Sequence, residues 1–308
     1  MKPFGFLLSV SLCLVAFGPS ALAQNQQSFV SGAGDDSNPC TQASPCRTFT
    51  EALFQTNLGG EVYVLDTASY LPFSITKAVT INAPQGVVAG ISVSSQTGDG
   101  IDILGVPGEV VLRGLSIYNQ GSTGNGISFA QSGTLFVENC IINGFGGGSG
   151  ILSNSGSLEV KDSVIRENHI GIQVAASSSR GYANVDRVRL EANGIGLQTN
   201  VGGMATVKNS LISNGTSGLQ AFSTGQLHAT AELNVENCVV SNNTGYGIGA
   251  ISDGNGITTV RVSNSTVTNN TYGFAAVGTP AVFLSRGNNT VEGNTVATTG
   301  TIGSFASR

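Results

Sequence analysis

The sequence predicts an all-β solenoid, in which one short unit is stacked many times along a single axis. Three observations carry that reading. A Gly-hydrophobic motif recurs at Gly100-Ile101, Gly126-Ile127, Gly150-Ile151, Gly171-Ile172, Gly196-Leu197, Gly218-Leu219, Gly247-Ile248 and Gly273-Phe274, at intervals of 26, 24, 21, 25, 22, 29 and 26 residues. Self-similarity at a period of roughly 24 residues, with loops of varying length, is the mark of a restacked supersecondary unit. The composition agrees: 43 glycines, no Trp, 10% charged residues and turns rich in Asn, Ser and Thr describe many short strands joined by tight bends. The length of 308 residues would suggest two ordinary domains, but a stacked repeat grows without dividing.

Residues 1–23 read as a secretory signal. Lys2 gives a positive start, Phe4 to Phe17 is an apolar run too short to span a bilayer, and Ala21-Leu22-Ala23 is a small-x-small cleavage site before Gln24. Leu12 stands before Cys13 where a lipoprotein acceptor would need a small residue, so Cys13 belongs to the discarded segment. The expected product is exported (periplasmic, cell-surface or extracellular) and has no membrane insertion. With Lys2 set aside, the 13 basic residues become 12 against 18 acidic, a net charge near −6 with no basic cluster. That balance argues against nucleic acid and anionic membrane surfaces as partners.

Residues 24–47 form a polar entry segment. Its two cysteines, Cys40 and Cys46, are six residues apart and are expected to make a local disulfide in an oxidising compartment. Residues 48–308 hold the repeat and its lid. Thr48 to Thr56 predicts one short amphipathic helix, with Phe49, Leu53 and Phe54 at helical spacing and Thr48 or Thr50 as cap. A helix placed directly before a repeat array covers an otherwise open end. Gly59-Gly60 then turns the chain into Glu61-Val62-Tyr63-Val64-Leu65, and Phe73-Ser74-Ile75 and Val79-Thr80-Ile81 continue as short alternating strands.

These residues carry a resemblance. The segments PCRTFTEAL, GGEVYVLD and ITKAVTI, followed by repeats of Gly-Ile-x-Ile, x-Val-x-Asn-Ser and x-Ile-x-x-Asn, resemble secreted bacterial right-handed parallel β-helix proteins of the pectate-lyase-like superfamily. The resemblance spans about residues 28 to 300. It implies a single-stranded right-handed parallel β-helix of about nine to ten turns.

Within that frame Leu112, Val137, Val160, Val185, Val207, Val235, Val262 and Leu284 take one inward position. Strand alternation then sends the following residue outward, which lines up Arg113, Glu138, Lys161, Asp186, Lys208 and Glu236, then Ser263 and Ser285. Six charges of alternating sign on adjacent rungs are expected to form a structural charge ladder. The next position holds Asn139, Asp162, Asn209, Asn237 and Asn264, interrupted by Arg187, and predicts a structural amide ladder at a left-handed bend. Asn168, Asn193, Asn243, Asn270 and Asn294 mark the next corner. Cys140 and Cys238 share one position four turns apart, ~19 Å by rung spacing, too far to bridge, so both are expected free and buried.

In catalytic members, the resemblance implies, the site lies on the outer face of the sheet that begins with the Gly-Ile motif. That outward row here reads Asp102, Ser128, Leu152, Gln173, Gln198, Gln220, Gly249 and Ala275, with no Arg, Lys or His. A glycosidase needs two carboxyl groups about 5 to 9.5 Å apart with one held protonated, and Asp99 with Asp102 is the one close acidic pair beside this row. A calcium-dependent lyase needs convergent oxygen ligands and a base, which the row lacks. No metal site is expected from the isolated His169 and His228. Gln173, Gln198 and Gln220 stand on three successive turns, and are either a stiffening amide ladder or a groove that hydrogen-bonds a glycan at the rung spacing of ~5 Å. The third strand points Ile141, Val164, Arg189, Leu211 and Val239 outward, an apolar contact stripe with one interruption that either meets a partner or lies under a loop. The reading is therefore an exported non-catalytic scaffold that presents its long face or loops to a polysaccharide or cell-surface protein. The alternative is a polysaccharide lyase or glycoside hydrolase using Asp99 and Asp102, with calcium as cofactor in the lyase case only.

Overall fold

The structure is a computed structural model that describes residues 25–94, 98–130, 132–176, 180–223, 230–254 and 256–306. Residues 1–23, read above as a signal, and His228 lie outside the described residues. The chain coils into a right-handed parallel β-helix of about nine turns. Its three parallel sheets contain twelve, ten and nine strands, and each sheet runs the length of the axis. One coil is typified by the strands Thr134–Glu138, Ile141–Asn143 and Ser149–Ser153, one from each sheet.

The bends explain the sequence spacing. Between the twelve- and nine-stranded sheets a single residue reverses direction in the left-handed region: Asn139, Asp162, Arg187, Asn209, Asn237 and Asn264 have φ of 49 to 54°. Asn and Asp visit that region at little cost because a short polar side chain can bond locally. At the next bend the left-handed residue is Glu167, Ala192, Asn214, Asn242 or Asn269, one position ahead of the second asparagine set. Asn168, Asn193, Asn243 and Asn270 instead point inward and are buried. They bond to one another and to backbone: Asn168 Nδ2 donates to Asn193 Oδ1 at 3.0 Å, and Asn243 Nδ2 to Asn270 Oδ1 at 2.8 Å. The set marks the corner by filling its interior.

The motif glycine has a steric cause. A Cβ at any of the eight motif glycines would lie 2.4–2.8 Å from the carbonyl oxygen of the next rung. The hydrophobic residue that follows is inward, and Ile101, Ile127, Ile151, Ile172, Leu197, Leu219, Ile248 and Phe274 stack as a core column. Cys140 and Cys238 are free and buried in the same core. Burial pushes their thiols up to about 12 and about 11 respectively, which leaves them protonated and inert.

The N-terminal end is closed as the helical spacing requires. The helix Phe49–Gln55 is capped by Thr48, whose side chain accepts the Glu51 N–H, and it buries Phe49 and Leu53 while Phe54 faces solvent. Phe49 packs on Phe73 and Tyr70 with ring centroids 4.6 and 4.8 Å apart. Cys40 and Cys46 are joined by a disulfide.

Within the entry segment Asn25–Val30 is a strand that pairs in parallel with Thr56–Val64 and opens the twelve-stranded sheet. One sequence expectation is corrected. In the last turn the alignment slips by one residue. Val262 pairs with Ser285, and Leu284 pairs with the outward Arg261, while Phe283 fills the core. Val282-Phe283-Leu284 offers three apolar residues in succession, so alternation alone did not fix which faces in.

Candidate functional site

The outer face of the ten-stranded sheet brings Asp102, Ser128, Leu152, Gln173, Gln198, Gln220, Gly249 and Ala275 into one continuous file, with Ser74 before them. Its three stretches differ in chemistry. At the N-terminal stretch Asp102 stands in hydrogen-bond reach of Asp99, and its carboxyl is held above the usual range by burial, by the Asp99 charge and by that bond. Asp99 is already engaged: its Oδ1 accepts the Asn125 backbone N–H at 2.5 Å and Asn125 Nδ2 at 3.1 Å. The two carboxyl groups touch each other. They do not stand apart with room between them for a scissile bond and water.

The middle stretch is the glutamine run. Gln198 and Gln220 stand in the outward file yet are only 7% and 6% exposed. Gln173 Oε1 accepts the Ser149 hydroxyl at 3.0 Å, which places the strand-start file beside the glutamine file on this face. Among the described residues no hydrogen bond is recorded between the three glutamine side chains.

The strand-start file supplies what the sequence reading missed. It runs through Ser149, Ile170, Ile195 and Ser217 and reaches Tyr246 and Tyr272, whose rings lie 5.4 Å apart and tilted by 38°. A Cβ on Gly249 would meet the side chains of Tyr246 and Ile251, so the tyrosine pair borders the shelf made by Gly249 and Ala275. The signal was present as Tyr directly before the motif in Tyr246-Gly247-Ile248 and Tyr272-Gly273-Phe274. The face thus carries Asp102 at one end, the largely buried amides in its middle and the tyrosine pair at the other end, with no Arg, Lys or His in the file.

The other predicted groups lie elsewhere. Arg113, Glu138, Lys161, Asp186, Lys208 and Glu236 stand side by side on successive strands of the twelve-stranded sheet. Arg113 grips Glu138 at 2.7 Å, whereas Asp186 is taken by its neighbour Arg187, which also bonds Asp162. The Arg187 guanidinium lowers the Asp162 carboxyl chiefly through that hydrogen bond. In the adjacent bend Asn237 donates to Asn209 at 2.7 Å and Asn264 to Asn237 at 3.5 Å. Ile141, Val164, Arg189, Leu211 and Val239 share a file on the nine-stranded sheet, and Ile141 and Val239 are exposed. His169 is exposed at a corner, and the described residues include no cluster of three His, Cys, Asp or Glu able to hold a metal. No helix among them is long and apolar enough to cross a membrane.

The comparisons settle what scaffold this is. Residues 76–198 and 178–296 match the family described as right handed beta helix region. The chain belongs to that family. Among solved structures, the pectate lyase Pel9A overlays 92% of this chain and 80% of its own at a TM-score of 0.66, with 14% identity. The A-module of the mannuronan C-5 epimerase AlgE6 of Azotobacter vinelandii gives 0.52 at 15% identity over 92% and 89%. A rhamnogalacturonan lyase gives 0.51 at 15% identity over 92% and 87%. At these identities the likeness is one of fold. No curated protein matches the chain.

Proposed function

We propose that this protein is an exported, non-catalytic β-helix that binds a glycan along the outer face of its ten-stranded sheet. One observation supports the reading: the file of Gln173, Gln198 and Gln220 continues into Gly249 and Ala275 beside the tilted pair of Tyr246 and Tyr272. Rungs ~4.8 Å apart nearly match the length of a sugar ring, amides both donate and accept, and an aromatic pair gives a sugar an apolar face to lie on. Export is supported by the signal-like residues 1–23 and by the Cys40–Cys46 disulfide. The exposed Ile141 and Val239 are a second surface, suited to a cell-surface protein partner.

A lyase or hydrolase is the competing reading, favoured by the raised Asp102 carboxyl beside Asp99. Both readings meet one experiment. Purified protein is offered uronate-containing and neutral polysaccharides, with and without calcium, while retention, unsaturated product and reducing ends are followed. Retention without product, lost when Gln173, Gln198 and Gln220 become Ala together or when Tyr272→Ala is made, is the expected result. Product that disappears in Asp102→Ala would replace the binding reading with the catalytic one.

A further inference from the structure

A second surface holds chemistry that the glutamine file does not. On the outer face of the twelve-stranded sheet a hollow of about 430 Å³ is floored by Phe136 and lined by Glu138, Glu159, Lys161, Asp186 and Lys208. Asn184 borders it and also the next hollow of about 270 Å³, where Tyr182 stands 45% exposed. The first hollow spans four successive strands, from Glu138 to Lys208, and makes a trough parallel to the long axis, while the second lies beside it, displaced along the strand direction.

The charges in this trough are unequally satisfied. Glu138 is bound by Arg113 through two nitrogens, at 2.7 and 2.9 Å. Asp186 holds Arg187 at 2.7 Å and accepts Asn209 Nδ2 at 2.8 Å. Glu159 accepts Asn184 Nδ2 at 2.7 Å. Among the described residues, neither Lys161 nor Lys208 has a carboxylate oxygen within 4.0 Å, and both side chains are exposed. The trough therefore presents two uncompensated ammonium groups on one file. They are two rungs apart, since Lys161 pairs with Asp186 and Asp186 with Lys208. Two rungs are roughly 9.6 Å, close to the length of a disaccharide.

We propose that this trough binds a linear acidic polysaccharide along the solenoid axis, with carboxylates of alternate sugars on Lys161 and Lys208 and a ring face on Phe136. Three features fit that occupant. The cations have a spacing that a uronate chain repeats, Phe136 lines the same hollow, and the competing acids at Glu138 and Asp186 are already held by arginines. The trough lies on a different sheet from the glutamine file, and the inference stands or falls separately from that proposal.

The test is titration calorimetry of the purified protein with tetragalacturonate and tetramannuronate. Cellotetraose and a short poly-glutamate serve as the uncharged and the ringless controls. The expected result is binding of an acidic tetrasaccharide that weakens roughly tenfold or more when Lys161 and Lys208 are both changed to Gln, and that weakens at high ionic strength. Glu159→Gln, which removes the one acid in the trough without a cation, should tighten binding. The Gln173, Gln198, Gln220 triple Ala variant should leave it unchanged, which separates this site from the other face. Unchanged thermal unfolding of each variant confirms that the coil is intact. Equal binding by the lysine double variant, by cellotetraose or by poly-glutamate would overturn the proposal, as would no binding of either acidic tetrasaccharide.

Discussion

At the scale of single residues, the interior asparagines contribute more to stability than the surface ladder does. Asn270 is 2% exposed; its Nδ2 donates to Asn294 Oδ1 and lies within bonding distance of the Val240 and Thr268 carbonyls, and its Oδ1 accepts from Asn243. Removing the amide strands several buried partners, so Asn270→Ala should cost about 2–4 kcal/mol in urea unfolding, while the exposed Asn264→Ala should cost under about 1 kcal/mol. Equal losses would show that burial does not set the difference. Asp102 gives the converse case. Its folded carboxyl titrates above 3.8, so between that value and the raised one the folded state holds more protons than the unfolded, and stability falls as pH rises through the window. Asp102→Asn should lack that fall and be more stable than the parent at neutral pH, read as the difference between the two urea midpoints across pH. The outward files were legible because each strand alternates around an inward valine that repeats in sequence. Tyr246 and Tyr272 were not, since their file begins at the bend, where alternation gives no sign of which way a side chain turns.

At the scale of elements, the lid is the piece whose sequence signal and role coincide. Thr48 caps, Phe49 and Leu53 recur on one face, and the face is set against the first coil. Phe49 is 1% exposed between Phe73 and Tyr70, so Phe49→Ala should cost about 3–5 kcal/mol, as truncation of a buried aromatic does. Phe54→Ala, at 63% exposure, should change stability by less than about 0.5 kcal/mol in the same thermal or urea melt. The strand Asn25–Val30 shows where such reading fails. Gln26 and Gln27 are exposed, the first buried position holds Ser28, and half-buried Phe29 stands directly beside buried Val30, so apolar and polar residues do not alternate. Pairing with Thr56–Val64 supplies the order that local pattern does not.

At the scale of the whole molecule, each coil bonds only to its neighbours, so the ends decide where it opens. The N-terminal end carries the helix Phe49–Gln55 and the Cys40–Cys46 disulfide. The C-terminal end finishes in Val296–Thr299 and Ile302–Ser304, short strands whose residues are exposed or half-buried. Amide hydrogen exchange should therefore be slowest in the central rungs and fastest over residues 296–304, with protection falling coil by coil toward that end. This gradient bears on function, because Gln173 and Gln198 sit in the rigid middle whereas Tyr272 pairs directly with Val296 in the fraying region. A glycan spanning from the glutamines to the tyrosine pair binds the closed coil and not the opened one, so it should slow exchange at residues 272–299 more than at residues 127–174. Exchange that slows uniformly would place the ligand off this face. Exchange already slowest at the C-terminal end without ligand would contradict the assignment of that end as the point of opening.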